Sequence, residues 1–587
     1  MEIKKIAVAG GGLSGWITAY WMKKNFPNLE ISLFCSKEVD KLITGEGGLP
    51  IFLHFFKLCG IDLKEFFQKT GATVKLGVKF KNWNQKKSEY VHPFTGSLLK
   101  IEDIYWPDKT EKELESYADD GIQGTETEKI KLNNQLESDY LNGCFVAGDY
   151  SKFVNPFMEQ IPDRDIDEII KFTNYSQQTG ISLHFDADKT SEFFKNKSIE
   201  LGVKYYEEHI TDTEVDIDYN TTTIITGVED EYQYHDVDFI FDCTGFSRII
   251  MQKYSSIDSL VSPVYIPYHY LTTNTAIPFS VSETLDEAWT EAIALKYGWL
   301  WKIPLQHKTG YGYVFDDNYC SVHEAKKELE SIFGNAIETE KEIKFEAGYL
   351  DQPWFGNVIA IGLSQSFLEP LEATSLGFMI TQLFAVLKNF KQIQAKSLDN
   401  DKDNNNEQVD ILEEVESFDD WEMLDLDDDI MFNHRLAYNN DVADATNELA
   451  NFIFLHFITN KDDTEFWIDK RQLVELLSEE DFNAAYDLHD YTDQSISLRL
   501  SQWYRSPVHY QPHNPDLSVL TLQNWLFVLD GIDFYDIETR NENLEDSIDK
   551  DELKTLQGYF LAIKNNLSPN TLTQKEYLKK YELIYTF

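Results

Sequence analysis

The stretch Lys4-Lys5-Ile6-Ala7-Val8-Ala9-Gly10-Gly11-Gly12-Leu13-Ser14-Gly15 decides the fold. A short apolar strand runs into three consecutive glycines, and "LSGWITAYWMKKNF" (13–26) follows with a helical pattern. "LEISLFCSK" (29–37) then reads as a second strand, which completes a βαβ unit. Gly10, Gly12 and Gly15 supply G-x-G-x-x-G at the strand-to-helix turn, the context that lifts the motif above chance. Gly10 permits the tight turn, Gly12 lets backbone approach a pyrophosphate, and Gly15 lets the helix pack on the sheet. Free N–H groups at the helix start, where Leu13 and Ser14 stand, favour phosphate charge.

Working outward, strand signals recur in "GATVKLGVKFKNW" (71–83), "DFIFDCTG" (238–245) and "GNVIAIGLS" (356–364). Helical patterns recur in "HFDADKTSEFFKNKSIELG" (184–202) and "LGFMITQLFAVLKNF" (376–390). The alternation predicts an α/β fold, a Rossmann-like sheet module that binds a dinucleotide. Residues 400–429 break the pattern, with dense Asp and Glu and almost no base. Like charges at that density favour a solvated insertion, with a short amphipathic helix expected around Ile411–Met423. From Phe432 the chain reads mostly helical. The expected organisation is a nucleotide-binding module over 1–396, an acidic insertion over 397–430 and a helical substrate-binding region over 431–587.

The chain has 587 residues, 101 acidic against 52 basic, for a formal charge of −49. That balance argues against nucleic acid and anionic membranes, which need a basic footprint. Cys35, Cys59, Cys144, Cys243 and Cys320 are widely spaced, so neither a disulfide framework nor a zinc site is expected. A reducing, cytoplasmic setting is the simplest reading. No apolar run reaches a membrane span, and a strand begins too early for a signal peptide.

Four further segments carry chemistry. "WLWKIP" puts Trp299 and Trp301 on one face of a strand, a rigid apolar wall that in isolation would be core. In "ATVKLGVKF" strict alternation puts Lys75, Gly77 and Lys79 on one face, so both lysines read as solvated by pattern alone. "TGEGGLP" (44–50) is glycine-rich and would pass as an ordinary loop. "SFLEPLEATS" (366–375) sets Glu369 and Glu372 before a helix whose dipole would favour them.

Together these motifs resemble the flavin-dependent halogenases of the tryptophan halogenase family, across roughly residues 1–395 and 431–470. The resemblance implies FAD, reduced by a separate flavin reductase, and an O2-dependent oxidation of halide to hypohalous acid. The oxidant then halogenates an electron-rich aromatic ring. It implies Lys75 as the catalytic lysine, with Gly77 leaving room for a small ligand, and Glu372 as the glutamate facing it. Glu369 is structural on this reading. Gly45, Glu46 and Gly47 belong to a strap along the flavin, made unusually flexible by Gly47-Gly48; Leu363 joins the flavin set. Thr374 and Ser375 align with the halide site, where the family has Thr-Gly. His92 and Phe94 in "YVHPFTG" line the substrate pocket, and Trp299 and Trp301 keep substrate from the flavin. "HFITNKDDTEFW" (456–467) resembles a further family segment. Two departures stand out. Cys35 replaces the glutamate that usually binds the adenosine ribose, and Glu38 is the candidate substitute. The tyrosine pair and carboxylate that clamp free tryptophan have no counterpart in "HDYTDQSISLRLSQWYRS" (489–506). No metal is expected, and a homo-oligomer is compatible with the sequence. The rival readings are a flavin-dependent aromatic monooxygenase, which needs no lysine at position 75, and a non-catalytic interaction protein on the same fold.

Overall fold

A computed structural model describes residues 2–36, 45–94, 161–162, 165–166, 181–216, 221–227, 231–255, 262–339, 341–399, 424–425, 428–479, 517–520, 522–533 and 571–586. Glu38, the expected helix at 411–423 and the segment 489–506 lie outside the described residues.

Strand Lys5–Ala9 is central in a six-stranded sheet. Its parallel neighbours are Glu30–Phe34, flanked by Lys204–Tyr206, and Phe239–Asp242, flanked by Val358–Ala360. An antiparallel hairpin partner, Trp354–Phe355, closes that edge. Parallel strands buried on both faces need continuous apolar runs, which "KIAVA", "EISLF" and "FIFD" provide. Helix Leu13–Asn25 lies over this sheet with Trp16, Tyr20, Trp21 and Met22 all buried. Trp21 packs against Phe55 and Phe384, which ties the helix to Ile51–Cys59 and to the long helix Thr374–Asp399.

A second, seven-stranded sheet is mostly antiparallel. Its order is Ile343–Lys344, Thr275–Val281, Thr309–Phe315, Gly298–Pro304, Thr290–Ala294, Gly77–Lys81, Glu89–Pro93. A three-stranded antiparallel sheet joins Gly45–Gly47, Ser182–Asp186 and Thr73–Lys75. The strand Ser182–Asp186 takes the start of the helix expected from residue 184, and the helix itself is Ala187–Glu200, capped by Asp186.

The single strand expected over 71–83 is two. Thr73–Lys75 pairs with Ser182–Asp186, whereas Gly77–Lys81 pairs with Thr290–Ala294 and Glu89–Pro93. The chain changes sheets at Gly77, whose φ is +154°. A Cβ there would stand 2.3 Å from the His92 carbonyl oxygen. The missing side chain therefore serves strand-to-strand approach and leaves no room for a ligand. The shared face expected of Lys75 and Lys79 is broken at the same point. Lys75 is fully buried; Lys79 is half-buried with its ammonium 5.6 Å from the Trp289 ring.

The described C-terminal residues are largely helical, in Asp428–Leu455, Glu465–Glu479, Leu522–Gly531 and Gln574–Lys580. At the end of the acidic stretch, Leu424–Asp425 pairs with Glu2–Ile3. Among the described residues no helix is long and apolar enough to cross a membrane, and no cluster of His, Cys, Asp and Glu could hold a metal.

Candidate functional site

The glycine turn opens on a cavity of about 530 Å³ lined by Gly10, Gly12, Leu13, Ser14, Cys35, Glu46, Gly47, Trp299, Trp301, Leu363, Glu372 and Ser375, among others. Its three motif glycines do different work. A Cβ on Gly10 (φ +113°) would stand 2.2 Å from the Cys243 oxygen, and one on Gly15 would stand 1.9 Å from the Gly10 oxygen. Both therefore allow close backbone packing. At Gly12 nothing lies within 4 Å, so that position faces open space. Gly12 is also the helix N-cap and makes no side-chain cap bond, which leaves the first N–H groups of Leu13–Asn25 turned toward the cavity. This cradle fits the pyrophosphate of a dinucleotide.

The wall of the cavity forms as the strand pattern requires. Trp299 and Trp301 share a face of Gly298–Pro304, with ring centroids 6.2 Å apart and planes tilted 59°. Trp299 Nε1 donates to Glu369 Oε2 at 3.0 Å, so Glu369 holds the wall from behind. Glu46, on strand Gly45–Gly47, also lines the cavity, and burial pushes its carboxyl up to about 7. Cys35 lines the cavity with its Sγ packed on Gly11, where a Cβ would stand 2.1 Å away. Gly47 and Gly48 pack closely instead of forming a slack loop. Added Cβ atoms would stand 2.9 Å from Lys75 Nζ and 2.9 Å from Ser182 Oγ respectively.

A smaller cavity lies beyond, lined by Leu49, Pro50, His92, Phe94, Glu372, Thr374, Phe452, Val519, Leu520 and Asn524. Glu372 lines both cavities, and Lys75 stands between residues of the two. Its ammonium donates to Gly48 O at 3.3 Å, abuts Gly47, and lies 5.0 Å from the Phe94 ring centroid. Burial lowers its pKa to about 7, while the charge of Glu372 works in the opposite sense. The amine is thus half neutral near pH 7.

Glu372 is set by strained backbone. Glu372 and Ala373 have φ of +65° and +56°, a left-handed pair that ends the turn Leu371–Ala373 and starts helix Thr374–Asp399. The twist sends Thr374 to the small cavity, leaves Ala373 and Ser375 on the large one, and sets Glu372 between them, on both. Of the two residues expected at the halide site, only Ser375 lines the large cavity. Glu372 Oε1 stands 2.8 Å from His92 Nδ1 and 3.0 Å from His456 Nε2. Burial alone would push this carboxyl up; His92 and His456 outweigh it and hold it down at about 2.

The profile of the tryptophan halogenase family matches residues 5–143 and 147–420 of this sequence. The chain belongs to the tryptophan halogenase family. It is a flavin-dependent halogenase by membership, and the rival monooxygenase and non-enzymatic readings fall away. Tryptophan 6-halogenase SttH of Streptomyces toxytricini is 25% identical over 488 residues, 80% of each chain. Tryptophan 7-halogenase RebH of Lentzea aerocolonigenes is 27% identical over 399 residues, 66% of this chain and 70% of that one. Among solved structures, the flavin-dependent halogenase Xcc4156 of Xanthomonas campestris superposes with a TM-score of 0.68 at 20% identity, covering 99% of both chains. That likeness bears on the fold, an α/β flavin-binding fold with a helical region.

Several buried polar residues in and behind this halogenase's site were not legible beforehand. His456 stands in "HFITNKDDTEFW", a segment whose resemblance marked it without giving it a role. Asn524 Nδ2 contacts His92 Nε2 at 2.8 Å from a helix that no motif flagged. Lys470, 14 residues after His456, is buried beside the aromatic rings of Phe457 and Phe466. Its type and spacing gave no signal, since a helical lysine is ordinarily solvated.

Proposed function

We propose that this halogenase transfers halogen from hypohalous acid to an electron-rich aromatic ring at Lys75 and Glu372. One observation carries the reading. Glu372 lines both cavities, and the fully buried Lys75 packs between Gly47 of one and Phe94 of the other, within the field of the Glu372 charge. FAD, held by the Gly10–Gly15 turn and the Gly45–Gly47 strap, supplies with O2 the oxidising equivalents for halide when it is bound reduced. A separate reductase provides that reduced form.

The chain's own residues do the rest. The N–H groups at the start of helix Thr374–Asp399, with Ser375 on the flavin side, suit a halide. Trp299 and Trp301 wall off the large cavity and keep an organic ring from it. Lys75, with a substantial neutral fraction at pH 7, can hydrogen-bond hypohalous acid or take its halogen as a haloamine. Glu372, held as a carboxylate, accepts the ring proton as aromaticity returns. Phe94 and Phe452 flank the small cavity, whose volume of about 30 Å³ admits hypohalous acid and would have to widen to take an aromatic ring.

The test is incubation with flavin reductase, NADH and FAD, with chloride, bromide or iodide, and a panel of indoles and phenols read by mass shift. Halide-dependent products that disappear in Lys75→Ala, while flavin binding persists, are the expected result. Neutral indoles or phenols should exceed free tryptophan, whose charged ends need dedicated partners to offset desolvation. Halogenation by Lys75→Ala at the wild-type rate would remove the reading.

A further inference from the structure

The hydrogen bonds around Glu372 fix more than its position. His92 Nε2 faces Asn524 Nδ2 at 2.8 Å. An amide nitrogen can only donate, so that ring nitrogen accepts and the His92 proton sits on Nδ1, which lies 2.8 Å from Glu372 Oε1 but off the line of a hydrogen bond. His456 is placed differently. Its Nδ1 stands 2.9 Å from the Phe452 carbonyl oxygen and its Nε2 stands 3.0 Å from Glu372 Oε1. A carbonyl oxygen cannot donate, so Nδ1 must carry a proton. Neutral imidazole would then present a bare Nε2 to a carboxylate oxygen, two acceptors in contact. Only one further proton between Nε2 and Oε1 satisfies the pair.

The surroundings of the ring say where that proton resides. The fully buried His456 ring lies 4.9 Å from the Phe80 centroid at a 32° tilt, and an aromatic face favours a cation. We infer that His456 is a positioning residue carrying a proton on each ring nitrogen, an imidazolium that locks Oε1 and keeps Glu372 charged, so that Oε2 is the atom that takes the substrate's proton. Oε2 has no partner among the described residues, as that role requires.

This inference deepens the proposed function and rests on it. The step it assigns is balanced: the ring C–H bond breaks, its electron pair returns to the ring, and the proton passes to Oε2. The groups that bear on Glu372 are Lys75, His92 and Tyr90 besides His456. Burial pushes the Tyr90 phenol well above its ordinary value, so it stays neutral. The cations facing the carboxylate are then Lys75 and His456. Without the imidazolium, the carboxylate would act on Lys75 alone and hold its ammonium charged to higher pH.

The experiment uses the full chain with FAD bound, labelled with nitrogen-15 in histidine, at pH 7. One histidine should show both ring nitrogens protonated. That signal should vanish in His456→Gln and revert to a singly protonated ring in Glu372→Gln. A singly protonated His456 in the wild type overturns the inference. The second readout is the pH profile of halogenation. In His456→Gln, which keeps a donor but no charge, the acid limb should move up by about one pH unit or more. A limb that stays in place overturns the inference, because a merely structural histidine would lower the rate without moving it. If the wild type makes no halogenated product with any halide, the functional reading fails; the nitrogen spectrum still decides the protonation of His456.

Discussion

Two buried lysine–glutamate couples stand in this chain, and they differ in almost everything except burial. Glu372 lines both cavities, and Lys75, which lines neither, packs between Gly47 of the larger and Phe94 of the smaller. Lys470 and Glu369 lie behind the tryptophan wall, and neither lines either cavity. Burial lowers both lysines, Lys75 to about 7 and Lys470 to about 8, with the nearby glutamate opposing in each case. The glutamates diverge. Glu372 has two imidazole nitrogens on one oxygen and is held well below the ordinary range. Glu369 accepts from the Trp299 indole, and burial pushes it up. A perturbed pKa is therefore no mark of catalysis by itself. The glutamates, and not the lysines, separate the two couples: Glu372 lines both cavities and meets two histidines, whereas Glu369 lines neither and meets an indole.

The sharpest way to break that contrast is to remove each lysine. Lys75→Ala should lower halogenation by about a hundredfold or more, the usual range for a positioned acid–base or nucleophilic group. FAD affinity, followed by flavin fluorescence, should hold within a few-fold, because Lys75 meets the Gly45–Gly47 strap only with the end of its side chain, at Gly47. Lys79→Ala should leave the rate near wild type. Equal losses in the two variants would erase the distinction between buried and half-buried lysine.

Lys470→Met should do the reverse. It leaves Glu369 buried without its cation and should cost about 2 kcal/mol in urea unfolding, a loss eased because Glu369 can take a proton. The halogenation rate should stay within about threefold of wild type, since the wall keeps its indole hydrogen bond. Severe loss of rate with unchanged stability would place Lys470 in the chemistry and collapse the comparison.

The pH dependence sharpens the contrast further. Lys75 in the folded chain loses its proton near pH 7, well below its unfolded value of about 10.4. The neutral amine therefore grows as pH rises through about 7, and halogenation should rise with it. Stability has the same sign. The unfolded chain binds more protons between those two values, so the folded state gains as pH climbs from about 7 toward 10, and it loses that gain on acidification. The difference in unfolding midpoint between wild type and Lys75→Met, measured across pH 6–10, isolates this contribution from the rest of the acidic chain. A difference that does not vary with pH would mean that Lys75 is not desolvated.

How far the sequence led also follows from these two regions. The glycine turn was legible residue by residue, because each glycine answers a local backbone demand. Tryptophans two apart on a strand must share a face, and they do. Lys75 is the contrary case. Alternation assigned it to a solvated face, and only family resemblance singled it out, because period-two reading assumes an unbroken strand and the chain changes sheets at Gly77. His456 and Asn524 were illegible for another reason. His456 reaches Glu372 across 84 residues of chain and Asn524 reaches His92 across 432, through tertiary packing of helices that no local pattern encodes.

The smallest effect is expected at Ser375, where the family has glycine. A glycine there would matter to the backbone if φ were positive, yet the positive angles fall on Glu372 and Ala373 and stop before Ser375. Ser375 is an ordinary helical residue on the flavin side, so its N–H is available to an anion without glycine. Halide order should then follow the ions. Chloride is the most strongly hydrated and the hardest to oxidise, so bromide and iodide should turn over faster at equal concentration. Ser375→Gly should preserve that order and change each rate by about threefold or less, the scale of the roughly 0.5–1 kcal/mol that glycine costs in a helix. Chloride first in the wild type would overturn the expected order. Chloride rising to first in Ser375→Gly would show instead that the serine side chain, and not its backbone, selects the halide.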